Sequence, residues 1–228
     1  FKIMLSLKKT IDTWVFDLDN TLYSAESGIF QQVHELMGKF VSNKLKIDLD
    51  SAKKIQRKYF IKHGTTLKGL MDNHGVEPDE FLDYVHKLDY SIIHPNNDLN
   101  KEISKLQGRK IIYTNANKQH VNEILLRLDL TNMFDEIFDI KMANYIPKPE
   151  INAYKDFIKR FNINPKTTIM FDDIAKNLVP AKNVGFKSVW IDLGIENISD
   201  DIKNSKQFLD FETKDLSKFL YEINREGQ

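Results

Sequence analysis

The sequence predicts an α/β fold, a parallel sheet flanked by helices with a helical insertion after the first strand. Three observations predict it. Short apolar runs alternate with amphipathic stretches along the chain, which is the pattern of a sheet covered on both faces. One long stretch, residues 24–93, breaks that rhythm and carries helical spacing only. The 228 residues fit one large domain, or one domain with an insertion.

Taken in order, the expected strands are Thr13 to Phe16, Arg109 to Tyr113, Ile137 to Ile140, Thr168 to Phe171 and Ser188 to Ile191. Helical spacing between them covers Asn117 to Leu128, Glu150 to Phe161 and Asp173 to Val184, and Gly185 reads as a helix terminator. Inside the insertion, helices are expected at Gly28 to Leu45, Asp50 to His63, Thr65 to Asn73 and Pro78 to Tyr90. Pro95 and the Asn96-Asn97 pair mark the return. The domain reading is therefore a Rossmann-like core from residues 1–23 and 94–228 and a helical cap from 24–93. The tail from Ser199 to Gln228 is charged and is expected to end frayed.

Composition narrows the chemistry. The 33 basic and 33 acidic residues cancel, so net charge directs the chain neither to nucleic acid nor to an anionic membrane. Without cysteine there is no disulfide, thiol nucleophile or sulfur-ligated zinc site. The opening FKIMLSLKKT has too short an apolar stretch for a secretory signal, and no run of about 18 apolar residues follows. The expectation is a cytoplasmic protein, although a chain opening on Phe1 leaves a trimmed targeting segment open. Nothing decides between monomer and homodimer.

The strongest local signal is FDLDNT at 16–21, directly after the first strand. Ligands of parallel sheets sit beyond the carboxyl ends of the strands. Asp17 and Asp19, two residues apart in extended chain, project the same way there. Two carboxylates held together are costly without a cation, and magnesium takes such hard oxygen ligands. The alternative is an Asp-rich turn whose side chains cap backbone groups. The second strand ends in Thr114 and Asn115, either phosphate contacts or ordinary helix caps. Lys148 stands between Pro147 and Pro149, where it can neutralise nucleophile and phosphate; most lysines are simply surface residues. After the fourth strand come Asp172 and Asp173, with Asn177 in reach to support them; an acidic N-terminal turn is the plain alternative. Four strand ends delivering polar groups to one edge favour a single site.

These residues, in this order, resemble the haloacid dehalogenase superfamily of phosphatases: D-x-D-x-T, a strand ending in Thr, a Lys, then paired acids, over Thr13 to Leu193. The resemblance implies Asp17 as nucleophile and Asp19 as general acid and base. It implies that Thr21 supports Asp19, that Thr114 and Asn115 bind the phosphoryl group, and that Lys148 orients nucleophile and phosphate. Magnesium would be held by Asp17, the Asp19 carbonyl and Asp173, with Asp172 a direct or water-mediated partner. The cap stretch YFIKHGTTLKGLM at 59–71, with FDLDNTLY and DDIAKN, is similar to the pyrimidine 5′-nucleotidase branch. That implies a small phosphorylated metabolite, a pyrimidine nucleoside 5′-monophosphate, contacted by His63, Gly64, Thr65 and Thr66. An inter-helix turn with Thr as N-cap is the alternative for each of these four residues. Competing functions are a sugar-phosphate or phosphoglycolate phosphatase, a phosphomutase, and a scaffold that binds metal or phosphate without turnover. The six histidines show no metal-ligand spacing and read as incidental.

Overall fold

A computed structural model describes residues 7–194, 207 and 209–225. Six strands form one sheet: β1 Thr13–Phe16, β2 Arg109–Tyr113, β3 Glu136–Phe138, β4 Thr168–Asp172, β5 Lys187–Ile191 and β6 Phe211–Thr213. Their order is β3-β2-β1-β4-β5-β6 and every pairing is parallel. The central strand TWVF is buried throughout, as a strand covered on both faces must be.

Nine α-helices lie wholly within the described residues: α1 Ile29–Leu45, α2 Leu49–His63, α3 Thr66–His74, α4 Pro78–Val85, α5 Asn97–Lys105, α6 Lys118–Arg127, α7 Ile151–Phe161, α8 Ala175–Asn183 and α9 Leu216–Arg225. Period-2 alternation divides the core. Trp14, Phe16, Ile112, Ile169 and Phe171 face α5, α6 and α9 through Ile103, Val121, Ile124 and Leu220. Val15, Ile111, Tyr113 and Met170 face α7 and α8 through Tyr154, Phe157 and Leu178. Helices α1 to α4 bury a third cluster, including Phe40, Val41, Tyr59, Leu70 and Phe81, and Ile140 of the core joins it. No helix among the described residues is long and apolar enough to cross a membrane.

Several boundaries differ from expectation. Helix α4 stops at Val85, and the chain reaches Tyr90 in a separate 3-10 turn, Tyr90–Ile92. β3 ends at Phe138, because Ile140 turns to pack against the insertion. Two helices went unread. In α5, Asn96 caps the Leu99 amide with its side chain, while Leu99 and Ile103 supply a narrow apolar stripe. The tail is not simply frayed: β6 adds to the sheet edge, and α9 buries Leu216, Phe219, Leu220 and Ile223. The rest of the expected tail, 199–206, 208 and 226–228, lies outside the described residues.

Register fixes the site edge. Phe16 pairs with Ile112 on one side and with Phe171 on the other. The next residues, Asp17, Tyr113 and Asp172, therefore emerge side by side, and the Asp17 amide donates to the Phe171 carbonyl at 2.9 Å.

Candidate active site

Past β1 the chain turns tightly. Leu18 goes fully into the core, its carbonyl accepts from the Leu22 amide at 3.0 Å, and Asn20 takes a left-handed φ of 60°, which Asn tolerates better than most residues. With Leu18 pointing inward, Asp17 and Asp19 come out toward the strand ends, and their side chains then diverge.

Asp17 meets Lys148. This lysine is 1% exposed, and its three ammonium protons have three acceptors: Asp17 Oδ1 at 2.7 Å, Asp172 Oδ2 at 2.6 Å and the Tyr113 carbonyl at 3.0 Å. Burial alone would lower the Lys148 pKa, but the two carboxylates outweigh it and hold the ammonium charged. Asn115 fixes the lysine's backbone from both sides, its Oδ1 accepting from the Lys148 amide at 2.8 Å and its Nδ2 donating to the Lys148 carbonyl at 3.2 Å. Asn115 thus acts on Lys148. Thr114, buried beside it, accepts the Ala116 amide on Oγ1 at 3.0 Å.

Asp172 has no exposed surface. Its Oδ1 accepts from the Ile174 amide at 2.9 Å, and Asn177 Nδ2 reaches both oxygens at 3.0 and 3.1 Å. The Asn177 carbonyl is held in turn by the Tyr154 hydroxyl at 2.6 Å. Asp173 has lighter support, from Asn20 Nδ2 at 3.5 Å, while its carbonyl accepts from Trp190 Nε1 at 2.9 Å.

Oxygens of Asp17, Asp172 and Asp173 lie within 4.8 Å of one another. One ammonium faces three carboxylates. Burial first, then the neighbouring acids, push the Asp17 pKa up to about 7 despite Lys148, and the Asp173 pKa rises for the same reasons. Asn20 Oδ1, buried beside Asp173, has no protein hydrogen-bond partner. An all-oxygen cluster with surplus negative charge and an unmatched acceptor suits a hard divalent cation such as magnesium, and offers nothing to a thiophilic one.

Asp19 turns the other way. Its Oδ1 accepts from Tyr23 Oη at 2.5 Å and lies 2.8 Å from His120 Nε2. Burial raises the Asp19 pKa, but His120 and the two hydrogen bonds bring it below the usual carboxylate range. Thr21 Oγ1 is buried without a partner, so the support expected from Thr21 comes from Tyr23 and His120. His120 is accordingly not incidental. His120 is a buried residue on the first turn of α6, on the inward stripe with Ile124 and Leu128. A histidine at an inward helical position directly after the second motif was the sequence signal.

The insertion comes down on the lysine loop. A Cβ on Gly64 would lie 3.1 Å from both the Lys148 carbonyl oxygen and Pro149 Cδ, so this glycine permits a close approach. Around it, Thr65 Oγ1 caps the Lys68 amide at 3.1 Å, Thr66 Oγ1 donates to the Gln56 carbonyl at 3.4 Å, and His63 Nδ1 lies 3.2 Å from Asp72. These groups are engaged within the insertion.

This fold and this edge of acids around a buried lysine define a class. The chain belongs to the haloacid dehalogenase-like hydrolases, whose family model matches residues 11–185. Several of the relatives it resembles are named as phosphatases. A stretch of 117 residues is 30% identical to glyceraldehyde 3-phosphate phosphatase of Pyrococcus furiosus; it takes in 51% of this chain, which spans about half (48%) of that relative. A glyceraldehyde 3-phosphate phosphatase of Methanocaldococcus jannaschii is 24% identical over 90% of the chain and 97% of the relative. Phosphate metabolism protein 8 of Saccharomyces cerevisiae is 25% identical over 85% and 67%. Among solved structures, a predicted phosphatase from Clostridium acetobutylicum superposes with a TM-score of 0.65 at 17% identity, covering 94% of this chain and 99% of the other. The magnesium-bound YfnB hydrolase of Bacillus subtilis gives 0.62 at 16%, with the same coverage.

Proposed function

We propose that the protein hydrolyses the phosphate ester of a small metabolite through a phosphorylated Asp17, with magnesium as cofactor. The observation that carries this is the buried Lys148 joining Asp17 to Asp172 beside Asp173. Lys148 favours the ionised form of Asp17 against burial and the neighbouring acids, aims its carboxylate, and adds positive charge where the phosphoryl oxygens gather charge in the transfer. A bond forms between an Asp17 oxygen and phosphorus as the bond to the leaving oxygen breaks, and Asp19 supplies that oxygen's proton. Asp19 then takes a proton from water, which attacks the same phosphorus, releasing phosphate and restoring Asp17. Thr114 and the backbone near Asn115 border the phosphate.

Asp17, Asp173 and the Asp19 carbonyl would hold the ion. Asp172 already accepts from three donors, the Lys148 ammonium, the Ile174 amide and the Asn177 amide, which favours a water-mediated or orienting role. The ion supplies charge neutralisation for the phosphate. Residues 24–93 are read as a cap that shuts water out of the cleft.

Two substrate readings stand. The names of the relatives favour a sugar phosphate such as a triose phosphate. The 59–71 stretch favours a pyrimidine nucleoside 5′-monophosphate, with His63, Gly64, Thr65 and Thr66 near the base or sugar, although their internal hydrogen bonds leave Thr65 and Thr66 little freedom. Phosphate release from glyceraldehyde 3-phosphate, glycerol 3-phosphate, UMP and CMP, with magnesium and with chelator, separates the readings. Asp17→Asn is expected to lose at least ~10³-fold in turnover while melting cooperatively. Turnover near wild type by the folded variant would sink the mechanism.

A further inference from the structure

Both donors to the Asp19 carboxylate fall on one oxygen. Tyr23 Oη and His120 Nε2 meet Oδ1, and neither meets Oδ2. His120 has no exposed surface, so its orientation is set by what packs around it. Its Nδ1 lies 2.9 Å from Tyr90 Oη, and its ring stacks on His86 with centroids 4.4 Å apart and planes 16° from parallel. Its Nε2 donates to Asp19, while its Nδ1 pairs with a Tyr90 hydroxyl that also donates to the His86 carbonyl at 3.2 Å. Tyr90 and His86 belong to the last stretch of the insertion, and His120 to the core.

We infer that His120 is a positioning residue for the reaction: it holds Oδ1 of Asp19 so that Oδ2 is the oxygen that exchanges the proton, and it is held by the insertion through Tyr90 and His86. This rests on Asp19 as general acid and base. In the first transfer the proton leaves Oδ2 for the ester oxygen as the phosphorus–oxygen bond breaks. In the second, Oδ2 takes a proton from the attacking water. With a donor lost from Oδ1, the carboxyl rotates and its proton is shared between two oxygens, only one of which faces the leaving group.

The readout is the dependence of kcat/KM on the leaving group, since an alkyl ester needs its oxygen protonated and a p-nitrophenyl ester hardly does. The probes are glycerol 3-phosphate and p-nitrophenyl phosphate. For His120→Leu we expect a loss of ~10²-fold on the alkyl ester against no more than ~5-fold on the aryl ester. His120→Gln, whose amide nitrogen can reach Asp19, is expected to recover most of the alkyl activity. Equal losses on both esters for His120→Leu, or no recovery in His120→Gln, would overturn the inference. Should His120→Leu not fold, Tyr90→Phe, which leaves the ring in place and removes its Nδ1 partner, carries the test by the same ratio. Asp19→Asn separates the two levels of the argument. Ester discrimination in Asp19→Asn but not in the His120 variant rejects the positioning role alone, whereas its absence in Asp19→Asn rejects the acid–base reading beneath it.

Discussion

Lys148 shows how far one residue's surroundings decide its work. A buried ammonium is tolerable only where every proton finds an acceptor and opposite charge lies close, and here both conditions hold. Lys148→Ala would leave Asp17 and Asp172 buried without their counter-charge. Removing one partner of a buried ion pair costs about 3–5 kcal/mol, and urea unfolding in chelator should find a loss of that size, with activity lost as well. A variant as stable as wild type would mean that the carboxylates take protons at no cost. At this scale the sequence was a good guide where residues are punctuated: prolines frame Lys148, and Asp17, Asp19, Asp172 and Asp173 stand at strand ends. It gave no sign of which partner each side chain chooses. That Asn115 clamps the Lys148 backbone, and that Asp19 turns to His120, depends on residues brought together from distant parts of the chain.

Among the elements, the α2–α3 pair rests on one small residue. A Cβ on Gly69 would fall 2.3 Å from Cγ of Tyr59, and Tyr59 is fixed in turn by a 2.6 Å hydrogen bond to His74. Gly69→Ala must push that ring aside, at about 1–3 kcal/mol of overpacking. This exceeds the gain in helix propensity of at most about 1 kcal/mol that Ala brings over Gly. The melting temperature should fall, and a rise would show that the ring moves freely. Helices with broad apolar faces were legible: α1, α2, α3, α6, α7 and α8 lie within a few residues of expectation. Helix α5 was not, because two apolar residues in nine, behind an Asn cap, look like a polar connector. Helix α9 was hidden by its charged outer face, although Phe219 packs edge-on against Phe171 of β4 at 5.9 Å.

The molecule as a whole carries an electrostatic load at the sheet edge that its stability should report. Raised pKa values at Asp17 and Asp173 mean that the folded protein keeps protons the unfolded chain has released, so stability falls as pH rises toward about 7 and beyond. His86 opposes this at lower pH. Burial holds its pKa down to about 3, so folding there excludes a proton that the unfolded chain would bind below about pH 6.5. Above that pH His86 is neutral in both states, and the slope belongs to the carboxylates. Metal-free protein is therefore expected to lose stability as pH rises above about 6.5 through the Asp17 value of about 7, by at most ~1.4 kcal/mol per pH unit for each carboxylate, and magnesium should flatten the curve. Thermal melts in chelator and in magnesium check this, and a metal-free curve that rises with pH would contradict it. The sheet, its parallel sense and the insertion point were all legible, because apolar runs and the long strandless stretch are properties of chain order. The extra edge strand β6, three residues of mixed exposure, carries no such mark.

The pairing of β1 also bears on how the protein is made. Val15 lies beside Ile111 on one side and Met170 on the other, so β1 leaves the ribosome with no sheet neighbour until residues 109–113 have followed, and its second neighbour comes only with residues 168–172. Residues 24–93 can gather their own apolar cluster in the meantime, but TWVF must wait, apolar and unpaired, and closing such long loops is slow. A nascent chain that has not yet released β4 lacks Asp172 as well as the strand that holds Asp17 in line. On the proposed mechanism, reactivity at Asp17 arrives only once β4 is in place, and the long wait of an exposed apolar strand is the interval in which a chaperone would have most to offer.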